Sequence, residues 1–370
     1  MKITHIETYL FFSSWRNLTI VKVDTDEGIT GVGEATCRNK ELAIREAIQK
    51  HIGPRLIGTS PFDVEALFHN YFTRDPWRNG AVFNSALSGL EIAFWDIIGK
   101  KLGVPIYNLM GGKMRDKIRL YANDWFKPAK TIDEFVAKAV TTVNDYGFTA
   151  LKWDPLKASA SSGEREMVKD GLDCVAAVRQ GVGEKVDLLI ELHGLLSYDG
   201  ALEFVRKVEP MNPLFVEEPM HPDDADGYRK LAMRANVPLA AGERSFTRWG
   251  YQPVFKAGNL SVIQPDITHT GGIHEIKKIA SQAETLYLKV APHNSNGPVA
   301  TMANVVMDAT LPNFLIQEFI IDNLELSKTL LSESFHYQDG YIYLQDKPGL
   351  GITVNFDELA KGQYKDVFSF

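Results

Sequence analysis

LLIELHGLLS (Leu188–Ser197) poses the question that leads to the fold. Leu188, Leu189, Ile190 and Leu192 are apolar, Glu191 stands among them, and His193 and Gly194 follow before a polar turn. A charged side chain is seldom fully buried unless it is paired or bound to a metal. The glutamate therefore belongs where a strand leaves the core. Runs of similar character recur from about Lys117 onward: IRLYAND, ALKWDP, DLLIELHG, LFVEEPM, PLAAGER, LSVIQPD, LKVAPHN and NFLIQEF. They lie roughly 22 to 37 residues apart, mostly with an amphipathic helical stretch between. That rhythm predicts a parallel α/β barrel rather than an open sheet.

Ahead of these runs the pattern differs. KITHIETYLFF, LTIVKVDTDEG and ITGVGEAT read as short strands, with DTDEG as a hairpin turn. From about Asn39 to Gly111 the apolar spacing is helical, most clearly in SALSGLEIAFWDIIGKKLG. The tail GYIYLQDKPGLGITVN turns β-like again. The expected division is an α+β domain over residues 1–115, a barrel over 116–325, and a segment over 326–370 that returns to the first domain.

The chain has 370 residues, 45% hydrophobic and 24% charged, as in ordinary globular proteins. Its net charge of −7 argues against nucleic acid as a partner, because phosphate binding wants a basic surface. Cys37 and Cys174 cannot form a disulfide framework or a zinc-binding pair of CxxC type. MKITHIETYLFF lacks the apolar run of a signal peptide, and no window approaches the roughly 18 apolar residues of a membrane span. The expectation is a cytoplasmic protein that meets neither membrane nor nucleic acid.

Nearly every barrel run ends in a charged or hydrogen-bonding residue: Lys152 and Asp154, Glu191 and His193, Glu217 and Glu218, Glu243, Asp266, His293, Glu318. In a parallel barrel these ends share one mouth, where active sites sit. Glu191, Glu217 and Glu243 are spaced 26 and again 26 positions apart, at matching points of three successive units. Three carboxylates together would repel one another, and a hard divalent cation with oxygen ligands, typically Mg²⁺, removes the problem. Pairing with Arg or Lys at the rim is the plainer alternative. Asp266 beside His293 would fix the tautomer of a general base. No GxSxG nucleophile occurs. GVGEAT lacks the third glycine of a dinucleotide fingerprint, HEIKK is not HExxH, and His269 with TGG reads as loop-shaping.

These residues resemble the enolase superfamily, in its mandelate racemase branch, over essentially the whole chain. The resemblance implies a (β/α)7β TIM-like barrel under an N-terminal α+β capping domain. It implies one Mg²⁺ on Glu191, Glu217 and Glu243, with His293 and Asp266 as the acid/base pair. Glu318 would donate a hydrogen bond to a substrate carboxylate, which requires its protonated form. Racemases of this branch carry Lys-x-Lys where this chain has Lys152-Trp153-Asp154, so the second lysine is missing. The Glu-Leu-His-Gly motif is similar to that of galactonate- and gluconate-type dehydratases, which implies that His193 protonates the departing 3-hydroxyl of a sugar acid. The product would be a 2-keto-3-deoxy acid. The first ligand is more often Asp in this branch, so Glu191 marks a subgroup.

Lid loops of the capping domain set specificity in this family. FFSSWRN, with Trp15 and Arg16, and the segment around Cys37, Arg38 and Asn39 are the corresponding stretches, with Trp77 and Arg78 of DPWRNGAVFN as a second candidate. Substrate contacts are expected from Trp15, Arg16, Asn39, Lys152, Asp154, His193, His293 and Glu318. The family is commonly dimeric or octameric, which implies a homo-oligomer. Three other readings remain: a sugar-acid epimerase or lactone cycloisomerase, a Schiff-base aldolase using Lys152, and an inactive sugar-acid-binding relative.

Overall fold

Alternating apolar residues make β1 (Ile3–Phe12) and β2 (Asn17–Thr25) an antiparallel pair, and a turn through Gly28, at φ 75°, leads to β3 (Thr30–Glu34). The computed structural model describes residues 1–156, 163–258 and 260–367. The last three residues of the expected C-terminal segment lie outside them.

The three-stranded sheet packs on the helix Ala81–Leu102, and the glycines of GVGE explain how closely. A Cβ on Gly33 would sit 1.9 Å from the Gly89 carbonyl oxygen, and one on Gly31 would sit 2.2 Å from that of Ala93. Only a bare backbone fits there. By length and composition this helix could cross a bilayer, contrary to the expectation that no window would approach that limit. Its apolar residues are instead buried between the sheet and neighbouring helices, as 78% of the relevant window lies inside the protein.

Eight parallel strands form the barrel: β4 (Lys117–Asn123), β5 (Ala150–Trp153), β6 (Asp187–Glu191), β7 (Phe215–Glu217), β8 (Leu239–Ala241), β9 (Val262–Ile263), β10 (Lys289–Val290) and β11 (Gln317–Ile320). Neighbours pair in order, a bridge from Val290 to Phe314 joins the seventh to the eighth, and β11 closes on β4. The architecture is thus an α/β barrel of TIM type with a smaller N-terminal α+β domain. The expected runs and the observed strands coincide, except that several functional residues lie just beyond the regular pairing.

Inside the barrel, Tyr121, Ala150, Leu189, Phe215, Ala240, Val262, Ala291 and Ile316 form one apolar ring, a residue from each strand or its immediate flank. Side chains alternate along a strand, so the next inward position lies two residues on. On seven of the eight strands that position is polar: Asn123, Lys152, Glu191, Glu217, Gln264, His293 and Glu318, with Gly242 on the eighth. The polar layer is therefore stacked directly on the apolar one.

After β11 the chain forms a hairpin of β12 (Tyr337–Gln338) and β13 (Tyr341–Tyr343), and β13 pairs antiparallel with the start of β4. It then reaches the long helix, where the Leu350 amide donates to Asp96, and the helix Phe356–Lys361 packs on β1. The tail touches the barrel as well as the N-terminal domain.

Candidate active site

β6 and β7 are in register with Glu191 opposite Glu217, so both carboxylates leave the barrel layer together. Glu243 reaches them differently. Beyond β8 the chain turns through Gly242 at φ 139°, whose added Cβ would lie 2.8 Å from the Tyr251 hydroxyl. One carboxylate oxygen from each of Glu191, Glu217 and Glu243 falls within 4.8 Å of the others. Glu191 and Glu217 are buried, and Glu217 Oε1 has no hydrogen-bond partner among the described residues. Burial and then the charge of Glu191 push the Glu217 carboxyl well above its usual range. Oxygen donors alone, mutual repulsion and an orphaned buried oxygen together fit a hard divalent cation.

Lys152 also serves this cluster. Its Nζ lies 2.8 Å from Glu217, 3.1 Å from Glu318 and 3.4 Å from Glu191. Burial opposes its charge, but these carboxylates hold its pKa well above the ordinary lysine value.

Two histidine–aspartate pairs face the same cavity. His293 Nδ1 lies 2.6 Å from Asp266 Oδ2, which leaves Nε2 directed at the acids, 3.2 Å from Glu243. Thr268 donates to the other Asp266 oxygen from its amide and its hydroxyl, and Asn296 donates to Oδ2. Burial would lower the pKa of His293, yet Glu243, Glu318 and Asp266 raise it to about 9. The second pair is His193 Nδ1 with Asp154 Oδ2, at 2.8 Å. The charge of Glu191 is the main cause that lifts His193 to about 9, against burial.

Simple strand alternation does not account for His193. Regular pairing ends at Glu191, and His193 adopts φ 48°, with its amide donating to Glu191 Oε1 at 2.7 Å. Asp154, at the position where racemases have a lysine, is what orients the imidazole. Glu318, expected as a donor to a substrate carboxylate, faces two donors in this structure. It accepts from Asn123 Nδ2 at 2.6 Å and from the Asn294 amide at 2.7 Å. Burial opposes its charge, but Lys152, His293 and these donors outweigh burial and hold its pKa below the usual value.

The cavity has a volume of about 340 Å³ and lies between the barrel mouth and the N-terminal domain. Trp15, Arg16, Cys37 and Arg38 are on its wall. Asn39 is not among the lining residues; it turns at φ 62° and its amide donates to Glu41. Trp77 is 90% exposed and Arg78 bonds the Thr73 carbonyl, so neither reaches the cavity. Glu218 points away and pairs with Arg244 at 2.8 Å.

Strand-end spacing passes over three contributors. Asn123 ends β4, one residue before the Asp124 that closes IRLYAND. His269, read as loop-shaping, lines the cavity, with Nε2 3.6 Å from Asp266 and Nδ1 3.0 Å from the Ser85 hydroxyl. Asn296 lies in a loop with no sequence signal of its own.

The mandelate racemase / muconate lactonizing enzyme N-terminal domain matches residues 12–111, and the enolase C-terminal domain-like family matches residues 134–359. A D-galactonate dehydratase of Xanthomonas campestris pv. campestris is 35% identical over 370 residues, covering 98% of this chain and 94% of its own. A D-gluconate/D-galactonate dehydratase of Picrophilus torridus is 34% identical over 360 residues, covering 97% and 92%. A solved member of the enolase superfamily from Salmonella Typhimurium superposes with a TM-score of 0.92 at 31% identity, covering 98% of each chain. With both domains matched and relatives similar along their whole length, this chain belongs to the mandelate racemase/muconate lactonizing enzyme family of the enolase superfamily.

Proposed function

We propose that the chain is an acid-sugar dehydratase, a hydro-lyase that removes water across C2 and C3 of a sugar acid to give a 2-keto-3-deoxy acid. The observation that carries this reading is the pair of histidine–aspartate dyads in one cavity, flanking the three-glutamate cluster. Elimination of water needs a base for the α-proton and an acid for the leaving hydroxyl, since hydroxide departs poorly. Relatives named galactonate and gluconate dehydratases support the class of substrate.

Glu191, Glu217 and Glu243 would hold a divalent cation, Mg²⁺ by the character of its donors. When bound, it supplies the positive charge that offsets the second negative charge developing on the substrate carboxylate. Lys152, kept as an ammonium, stabilises the same charge from within the barrel. With the Glu243 charge, the largest cause that raises His293, offset by a bound cation, the neutral imidazole accepts the C2 proton at Nε2 while Asp266 holds Nδ1. The electron pair of the C2–H bond forms the C2–C3 double bond, and the C3–O bond breaks. His193 delivers its Nε2 proton to that oxygen, so water leaves, and Asp154 keeps the ring in place. The resulting enol becomes the ketone on protonation at C3.

A lysine forming a Schiff base needs a neutral amine. Three carboxylate oxygens within 3.4 Å favour the ammonium form of Lys152, which weakens the aldolase reading. A panel of sugar acids with Mg²⁺, assayed by semicarbazide for 2-keto-3-deoxy products, tests the dehydratase directly. At least one acid is expected to give the keto acid. Inversion at C2 without any such product would establish the epimerase instead.

A further inference from the structure

Arg16 carries a charge that no carboxylate among the described residues pairs. It stands between β1 and β2, only 8% exposed, on the wall of the active-site cavity. Its Nη1 donates to the carbonyl and hydroxyl of Ser295 and to Asn296 Oδ1 at 3.4 Å, all neutral acceptors. Among the described residues its Nε has no partner, and no carboxylate lies within ion-pair distance of its guanidinium. The nearby acids are engaged elsewhere: Asp124 with Lys127 at 2.7 Å, Asp266 with His293, and Glu34 with the amides of Gly297 and Ala300.

A guanidinium stays protonated in proteins, so burial cannot be relieved by losing the charge. An unpaired buried cation is costly, and a site that tolerates one is built for an anion. Its surroundings add to the demand. The Arg16 guanidinium lies 4.0 Å and the Lys127 ammonium 3.7 Å from the centre of the Trp15 ring, and Arg38 lines the same cavity. Two cations stand on one indole, with a third on the wall; Asp124 offsets Lys127, so the excess positive charge on this side centres on Arg16.

Accepting that the cavity binds a sugar acid with its C1 carboxylate near Lys152, we propose that Arg16, supported by Lys127 and Trp15, receives a second anionic group of the substrate. The preferred substrate is then a sugar acid charged at both termini. The partners of Lys152 and those of Arg16 do not overlap, so the two cations form separate subsites. An aldonate would leave a neutral hydroxymethyl group at Arg16 and the guanidinium uncompensated, a mismatch of the kind that discriminates strongly. A terminal carboxylate brings one negative charge and a terminal phosphate about two, and both offer acceptor oxygens to the guanidinium.

The test compares hexonates, hexarates and 6-phosphohexonates of matched C2–C5 configuration with the full-length protein and Mg²⁺. The expected kcat/KM for an acid charged at both termini exceeds that for the matching hexonate by about 100-fold, and the hexarates and 6-phosphohexonates distinguish carboxylate from phosphate. Arg16→Met is expected to remove most of that preference, chiefly through KM, and Arg16→Lys to restore part of it. Equal losses on the hexonate and on acids charged at both termini in Arg16→Met would overturn the proposal, as would a hexonate used as well as every acid charged at both termini. Calorimetric binding of an unreactive 3-deoxy hexarate and the matching 3-deoxy hexonate separates the two levels of inference. Preference for the diacid in the wild type, lost in Arg16→Met, upholds the anion subsite even where no acid is dehydrated. Equal binding of the two overturns it even where dehydration is observed.

Discussion

Asp154 illustrates what a single residue adds to this site. In the resemblance it marks a missing lysine, and in three dimensions it is the partner of His193 Nδ1. Replacing it by Asn removes the charge that favours a protonated His193 and leaves the ring less well fixed. Asp154→Asn is expected to slow dehydration by about 10- to 100-fold, with α-proton exchange, which depends on His293, affected less. Deuterium uptake at C2 compared with keto-acid formation distinguishes these steps. The acids at 191, 217 and 243 are legible from spacing alone, because equal steps through β/α units carry equivalent positions to one mouth. The charge on Glu318 is not legible, because it depends on Asn123, Asn294 and Lys152, which come from other strands and a loop. Nor does alternation predict the orientation of His193, since the backbone leaves the strand before reaching it.

At the scale of elements, two buried glutamates of the N-terminal domain tie it to the barrel. Glu34 accepts from the amides of Gly297 and Ala300 at the start of the helix Pro298–Asp308, which follows the strand leading to His293. Glu91 accepts from the amides of Ile273 and His274 at the start of the helix Ile273–Thr285, which follows Asp266. Carboxylates at helix N-termini satisfy orphan amides and oppose the helix dipole. Neither contact is visible in sequence, because each cap lies some 180 to 260 positions from its helix. Burial nevertheless raises Glu91 to about 8, despite those amides and the Trp95 indole. A folded-state pKa above the unfolded one means that the folded protein binds the extra proton between about pH 4.5 and 8. The stability from this group is then complete below that window and declines as pH rises through 8. Glu91→Gln should therefore flatten the fall in Tm between pH 5 and 8, relative to the wild type, in parallel thermal melts. A wild-type profile with the same slope as the variant would refute the assignment.

For the molecule as a whole, the barrel was legible because eight short runs recur with helices between them, a regularity that periodic patterns report well. The placement of the C-terminal tail was legible only in part: its hairpin on β4 depends on a strand edge that no local pattern reveals. The cavity itself belongs to both domains, so its wall combines barrel ends with the loops at Trp15 and Cys37. Removing the divalent cation with EDTA should abolish turnover. It should also lower Tm, because a ligand that binds only the folded state stabilises it by mass action, and added Mg²⁺ should restore both. Glu217→Gln is expected to weaken that Mg²⁺-dependent rise in Tm at least 10-fold in midpoint concentration; an unchanged midpoint would remove Glu217 from the ligand set.

The central claim, that two histidines divide the elimination between base and acid, is tested most directly by proton NMR of the reaction in D₂O with Mg²⁺ and a turned-over sugar acid. The wild type should give a 2-keto-3-deoxy acid carrying one deuterium at C3, and His193→Asn should exchange the C2 proton while forming almost no keto acid. Keto acid formed at the wild-type rate by His193→Asn, or loss of C2 exchange together with dehydration in that variant, would contradict the account.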